Sequence, residues 1–319
     1  RIVAIYPQSS KAGLTTWDIG RWCGEALRRC RGRQIADPIP EDFLNKMGLM
    51  DRMSAFDAIH QPNSMSEVLG ARDRLVLDEL LRVQLVLRMR KMKRLHDALG
   101  VKHSNQGELP DQFIRGLPFE LTAAQQRTIA EVRADLESDQ PMHRLLQGDV
   151  GAGKTLVAMY AMLVAVADGH QGALMAPTEV LAEQHHLNLF ELAKHLEVSD
   201  ESTLSGKRPL SIKLLTNGVT GTDRSQILRG MSEGRVDLVI GTHALIQEGV
   251  NFDSLSVVVV DEQHRFGVEQ RSVLRERGRQ DGRLPHLLVM TATPIPRTAA
   301  MTVYGDLEVS TLNELPPGR

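Results

Sequence analysis

Gly148-Asp149-Val150-Gly151-Ala152-Gly153-Lys154-Thr155 decides how this chain is read. The stretch fits GxxxxGK[ST], the phosphate-binding P-loop. Its glycines let backbone N–H groups turn inward around phosphate oxygens. Lys154 is placed to set its ammonium on β- and γ-phosphates, and Thr155 to offer a hydroxyl to Mg²⁺. A helix beginning near Lys154 directs its positive end at the same anion. The flanks agree. His143-Arg144-Leu145-Leu146 predicts a strand before the loop, and Leu156-Val157-Ala158-Met159 predicts a helix after it. All eight loop residues are therefore candidate nucleotide ligands, with Lys154 also a catalytic candidate.

Outward from the loop, short apolar runs alternate with helical segments. Strands are expected at 143–146, 172–176, 212–215, 236–240, 256–260 and 286–291. Helices are expected at 123–138, 154–168, 179–195, 222–233 and 267–277, with a polar loop over 197–211. Val257-Val258-Val259-Val260 and Leu287-Leu288-Val289-Met290 are unbroken apolar runs, the pattern of strands covered on both faces. The alternation predicts an α/β domain with a mostly parallel sheet and helices on both faces.

Residues 1–117 read differently, as a mostly helical region. Helices are expected at 15–32, 41–47, 50–59 and 65–99, the last with apolar residues such as Leu69, Val76, Leu80 and Val83 near the helical period. Pro38 and Pro40 break the chain at 37–42. The Gly-, Pro- and polar-rich stretch 100–116 marks the boundary with the α/β domain at 118–319.

Two further motifs end expected strands. Asp261-Glu262-Gln263-His264 directly follows Val257–Val260, where an α/β sheet binds ligand. Asp261 would hold Mg²⁺ through water, and Glu262 would orient the attacking water, since phosphoryl transfer needs metal charge and a placed nucleophile. An acidic turn alone has the same composition. The P-loop about 110 residues upstream selects the catalytic reading. Met290-Thr291-Ala292-Thr293-Pro294 ends the next apolar run. Its hydroxyls either bond Glu262 or His264 or simply cap a Pro-terminated strand.

The P-loop, the DEQH box and the TATP element, in this order, resemble the superfamily 2 helicases. So do Leu121-Thr122-Ala123-Ala124-Gln125, Ala176-Pro177-Thr178-Glu179 with Gln184-His185, and Gly241-Thr242-His243-Ala244. The wording of Asp261–Val268 and Thr291–Thr298 is similar to the branched-DNA helicases within that superfamily. Transcription-repair coupling translocases are the alternative, and they typically read DEEQRFG where this chain reads DEQHRFG.

The resemblance implies a RecA-like ATP-binding domain, preceded by a helical linker that joins it to an absent wedge domain. It implies an ATP hydrolase with ATP and Mg²⁺ as cofactors and DNA forks or junctions as partner. Gln125 would read adenine. Asp261, Glu262, Gln263 and His264 would form the catalytic box. Pro177, Thr178, Gln184, Gly241, Thr242, His243, Thr291 and Thr293 would contact DNA or couple it to the nucleotide. Leu214-Leu215-Thr216-Asn217-Gly218 departs from the family, which usually has Gly-Ser at 217–218. A second motor lobe, the source of an arginine finger, is expected to be missing, so the chain alone is expected to hydrolyse ATP slowly. A non-catalytic nucleotide-gated module is the remaining alternative.

Composition sets outer limits. The 319 residues are 42% hydrophobic and 24% charged, ordinary for a folded soluble chain. No apolar run approaches the roughly 18 residues of a membrane span. The Arg1-Ile2-Val3 opening has no initiator Met and no signal-peptide pattern, so a processed or truncated cytoplasmic chain is expected. Cys23 and Cys30 lack zinc-site spacing. The net charge of −2 does not by itself favour nucleic acid. The basic run Arg88, Arg90, Lys91, Lys93 and Arg94 fits either phosphates or a solvated helix face. A monomer is the expected state.

Overall fold

The computed structural model describes residues 2–9, 11–31, 36–97, 99–104, 108–200, 203–261, 274, 278, 282–292 and 307–314; within these, the side chains of 90, 91 and 93–97 are left aside. The chain divides into two units, 1–87 and 88–319.

The first unit holds α1 (Thr16–Arg31), α2 (Glu41–Met47), α3 (Arg52–His60) and most of α4 (Met65–Asp97). Gly48 ends α2 with φ +65°. Asp51 starts α3 by accepting the Ser54 N–H at 2.9 Å. The packing is small, built on Ala55, Ala58 and Ala71 with Met50, Ile59 and Leu75. Charge completes it. Arg74 is fully buried and its guanidinium donates to Asp37 at 2.7 Å and to Asp78. Arg52 joins Asp78 at 2.7 Å. Burial alone would raise the Asp37 pKa, but the N–H groups of Ile39 and Arg52 and the Arg74 guanidinium outweigh it and hold the carboxyl below its ordinary range. Asp37, inside the Pro-broken stretch, is thus the anchor of that stretch.

The second unit contains β1 (Leu99–Gly100), α5 (Leu109–Arg115), α6 (Ala123–Leu136), β2 (His143–Gly148), α7 (Lys154–Ala167), β3 (Gln171–Met175) and α8 (Glu179–Ala193). It continues with β4 (Glu197–Ser199), β5 (Lys207–Pro209), β6 (Ile212–Leu215), α9 (Gly221–Ser232), β7 (Leu238–Gly241) and a 3₁₀ turn at His243–Ile246. The last strands are β8 (Leu255–Asp261), β9 (Arg283–Leu284), β10 (His286–Thr291) and β11 (Glu308–Leu312). Seven strands form one sheet in the order β11-β2-β10-β8-β3-β7-β6. Every pairing in it is parallel.

Alternation along the strands assigns side chains to opposite faces. Leu146, Leu174, Ile240, Val257, Val259 and Leu288 pack with α7, α8, α5 and α6. Leu145, Ala173, Val239, Val258, Val260 and Val289 face the other way and pack with Met231 of α9. Each such fully buried Val, Leu, Ile or Met side chain contributes roughly 1.5–3 kcal/mol before ordering entropy. The expected α/β fold with helices on both faces is the observed one.

The differences have local causes. β11 was not expected, because Glu-Val-Ser-Thr-Leu is no apolar run. It is held at the sheet edge by the β2 backbone and by Arg144, which donates to Ser310 Oγ at 2.7 Å. α5 lies within the expected break at 100–116; seven residues are too few for a period to show, and only Leu109, Pro110 and Phe113 are buried in it. The expected loop at 197–211 contains the antiparallel pair β4–β5. Arg208 pins it by reaching Asp237 at 2.6 Å and Asp200 at 3.2 Å. The expected helix at 267–277 lies outside the described residues apart from Leu274.

At the N-terminal ends of the strands, residues 99–104 are strapped to the sheet. β1 pairs in parallel with β9. His286 Nδ1 accepts the Met142 N–H at 2.9 Å, so its Nε2–H donates to the Val101 carbonyl at 2.6 Å. His103 is fully buried, 3.2 Å from Asp168, with its ring 5.3 Å from His170 and 5.5 Å from His286. Burial, then the neighbouring imidazoles, push the His103 pKa down to about 4. Burial also lowers His170.

Candidate functional site

β2 delivers the phosphate loop to the C-terminal edge of the sheet. Gly148 ends that strand where a Cβ would lie 2.9 Å from the Leu312 carbonyl oxygen. Gly151 and Gly153 take φ +88° and +91°, the left-handed region that favours glycine. A Cβ at Gly153 would also lie 2.4 Å from Gln125 Nε2. α7 begins at Lys154 with no side-chain cap, so nothing from the N-cap residue covers its first-turn N–H groups. Lys154 Nζ curls back and donates to the carbonyls of Gly148 and Asp149 at 2.8 and 2.9 Å. The cradle, the open helix end and the ammonium meet at one place, which fits a polyphosphate.

Gln125 is buried against this loop. Thr122 and Gln125 form a capping box at the start of α6. The Gln125 Oε1 accepts the Thr122 N–H at 3.0 Å, and its Nε2 donates to the Ala152 carbonyl at 2.9 Å. Both ends of the amide are engaged within the protein, so an adenine contact would compete with these bonds. Glu314 adds a further tie, accepting the Ala124 N–H at 3.1 Å.

β10 lies between β2 and β8, so Gly148 and Asp261 end strands about 10 Å apart. Asp261 is the last residue of β8 and is largely buried. The His185 ring, reaching in from α8, sets its Nε2 2.7 Å from Asp261 Oδ2. Thr291 ends β10 between the two and is buried. Thr155 is half-buried in the first turn of α7. Glu262, Gln263, His264 and Thr293 lie outside the described residues.

A second group of loops gathers beyond β3, β7 and β6 at the same edge. Pro177 precedes Thr178, which caps α8 by accepting the Leu181 N–H at 3.3 Å. Gln184 is exposed on α8. Gly241 must be glycine for packing, since a Cβ there would lie 2.2 Å from the Leu215 carbonyl oxygen. Thr242 caps the 3₁₀ turn and His243 is exposed. Asn217, the departure noted in the sequence, knits these loops. Its N–H donates to Glu179 at 3.0 Å, its Nδ2 donates to His243 Nε2 at 3.0 Å, and its Oδ1 accepts from Gln247 at 3.1 Å. The sequence placed His185 with the DNA-facing segment; the structure turns its ring toward Asp261. A histidine six residues after Glu179 lies on a helix face that sequence spacing leaves unassigned.

A glycine-rich cradle at the end of β2, a carboxylate two strands away on β8 and a polar loop rim define a P-loop α/β domain. A family model of the DEAD/DEAH box helicases matches residues 122–302, and the chain belongs to that family. Within it, the chain is similar to RecG helicases. It is 46% identical over 322 residues to the ATP-dependent DNA helicase RecG of Synechocystis sp., covering 100% of this chain and 36% of that protein. It is 43% identical over 311 residues to RecG of Bacillus subtilis, covering 98% and 43%. A solved structure of RecG bound to a three-way DNA junction superposes with a TM-score of 0.75 at 37% identity, over 100% of this chain and 40% of that one. The chain thus spans about two fifths of the length of the RecG proteins it matches. No described helix is long and apolar enough to cross a membrane.

Proposed function

We propose that this chain is the first motor lobe of an ATP-dependent DNA helicase that acts on branched DNA in recombination and repair. The single observation that carries the reading is the convergence of the P-loop cradle, Lys154 and Asp261 on one sheet edge. RecG kinship supplies the DNA side, since the solved relative is bound to a three-way junction.

In this reading Gly148–Gly153 wrap the phosphates with backbone N–H groups, while Lys154 leaves its two carbonyls for the phosphate oxygens. Thr155 and Asp261 hold Mg²⁺, which supplies charge to neutralise the phosphoryl oxygens. Glu262 orients the water, and Gln263 and His264 sense the outcome with Thr291 and Thr293. Gln125 keeps the loop in shape from below. Pro177, Thr178, Gln184, Gly241, Thr242 and His243 form the rim that meets the DNA backbone, with Asn217 fixing their spacing. Residues 1–117 link this motor to the rest of a monomeric, cytoplasmic protein.

The test is ATP turnover and affinity in the full-length protein, comparing wild type with Lys154→Ala. Single strand, plain duplex, a model fork and a four-way junction are added in turn. Strongest stimulation by the fork or junction, and loss of ATP affinity in a folded Lys154→Ala protein, are the expected results. Stimulation by plain duplex alone would instead indicate a general translocase, and unchanged ATP affinity would refute the P-loop assignment.

A further inference from the structure

Asp261 ends β8 at the sheet edge that carries the cradle, and the side chain that bonds it comes from a helix rather than from a neighbouring strand. Its register partner on β10 is Met290, an apolar residue that cannot orient a carboxylate. His185 does so from α8, with Nε2 2.7 Å from Oδ2 and each side chain only 12% exposed. The 76 residues between them make this a tertiary contact, not a local turn. Among the described residues no other side chain bonds Asp261, so His185 accounts for Oδ2 alone and Oδ1 takes no bond from a described side chain.

We propose that His185 is a positioning residue for Asp261: its Nε2–H holds one carboxylate oxygen so that the other is presented to the nucleotide-bound Mg²⁺. The inference rests on the reading of Asp261 given above. Outer-shell partners of this kind tune metal affinity by about 10–100-fold, because an oriented carboxylate loses less freedom when the metal arrives. A contact that only packs α8 on the sheet would have no such selectivity for metal.

That difference sets the experiment. Affinity for a fluorescent ATP analogue is measured with Mg²⁺ and with EDTA in wild type, His185→Ala, His185→Gln and Asp261→Asn, each checked for folding by circular dichroism. In His185→Ala the Mg²⁺-dependent part of the affinity is expected to fall about 10-fold or more, with the EDTA value unchanged. His185→Gln, which keeps an N–H donor, restores most of it. If His185→Ala weakens both values together, or neither, while Asp261→Asn abolishes the Mg²⁺ effect, His185 is a packing residue and the proposal is wrong. If Asp261→Asn itself leaves the Mg²⁺ effect intact, the metal assignment of Asp261 falls, and this proposal with it.

Discussion

Mild acid should loosen the second unit through His103. The ring is fully buried among His170, His286 and Asp168, and its pKa is held at about 4 against an ordinary 6.5. Above pH 6.5 the imidazole is neutral in both folded and unfolded chains, and its contribution is fully present. Between 6.5 and 4 the unfolded chain takes a proton that the folded chain refuses, so stability falls as pH falls. At pH 5 the linkage amounts to about 2 kcal/mol, and the limit below pH 4 is about 3 kcal/mol. The two neighbouring imidazoles oppose the proton, and the Asp168 carboxylate, which favours it, does not offset them and the burial. The assay is amide exchange at Leu145 and Leu146 in the centre of β2, at pH 7.5 and pH 5, in wild type and His103→Gln. Glutamine does not titrate. The variant should be weaker at pH 7.5, having lost packing, but its loss between the two pH values should be smaller than that of wild type by about 2 kcal/mol. Equal losses in the two proteins would refute the argument, as would a histidine proton resonance showing His103 titrating near 6.5 in the folded state.

Two substitutions probe the remaining fixed points. Gly153→Ala forces a side chain into φ +91° and within 2.4 Å of Gln125 Nε2, so the bond from Gln125 to the Ala152 carbonyl must break. A stability loss of about 1–3 kcal/mol with weakened ATP binding is expected by urea titration and equilibrium binding; wild-type values for both would contradict the cradle geometry. Arg74→Ala leaves Asp37 and Asp78 without their shared buried cation and should destabilise the first unit by about 3–5 kcal/mol. Tryptophan fluorescence follows this unit selectively, since Trp17 and Trp22 both lie in α1; a shift under 1 kcal/mol would show the network to be dispensable.

The strand–loop–helix around Lys154 and the place of Asp261 at a strand end were legible because each is contiguous in sequence. A strand, a glycine loop and a helix follow one another over residues 143–167, and the apolar run 257–260 points straight at Asp261. The sheet was legible where strands are buried on both faces, and β3 and β8 are buried at every position. It was not legible at β11, whose place at the edge depends on Arg144 reaching Ser310 from 166 residues away. Arg74 was hidden for the same reason. Its helical neighbours, Asp78 among them, describe a charged face, and only the approach of Asp37 from outside the helix makes that position an interior one.

His185 shows what motif order alone leaves open. The segment from Pro177 to His185 reads as one DNA-facing block, yet it is a cap followed by a helix, and a helix turns its residues through every direction within two turns. Thr178 stays at the rim as the cap, and Glu179 accepts the Asn217 N–H there. Seven residues after the cap, about 10 Å along the axis, the same helix presents His185 to Asp261. α8 therefore has one end among the loops assigned to DNA and its middle on the carboxylate assigned to metal. A displacement of the rim cannot move α8 as a rigid rod without also moving the hydrogen bond that orients Asp261. On the assignments proposed above, coupling between the two sites would need no chain of intermediaries, because one helix touches both.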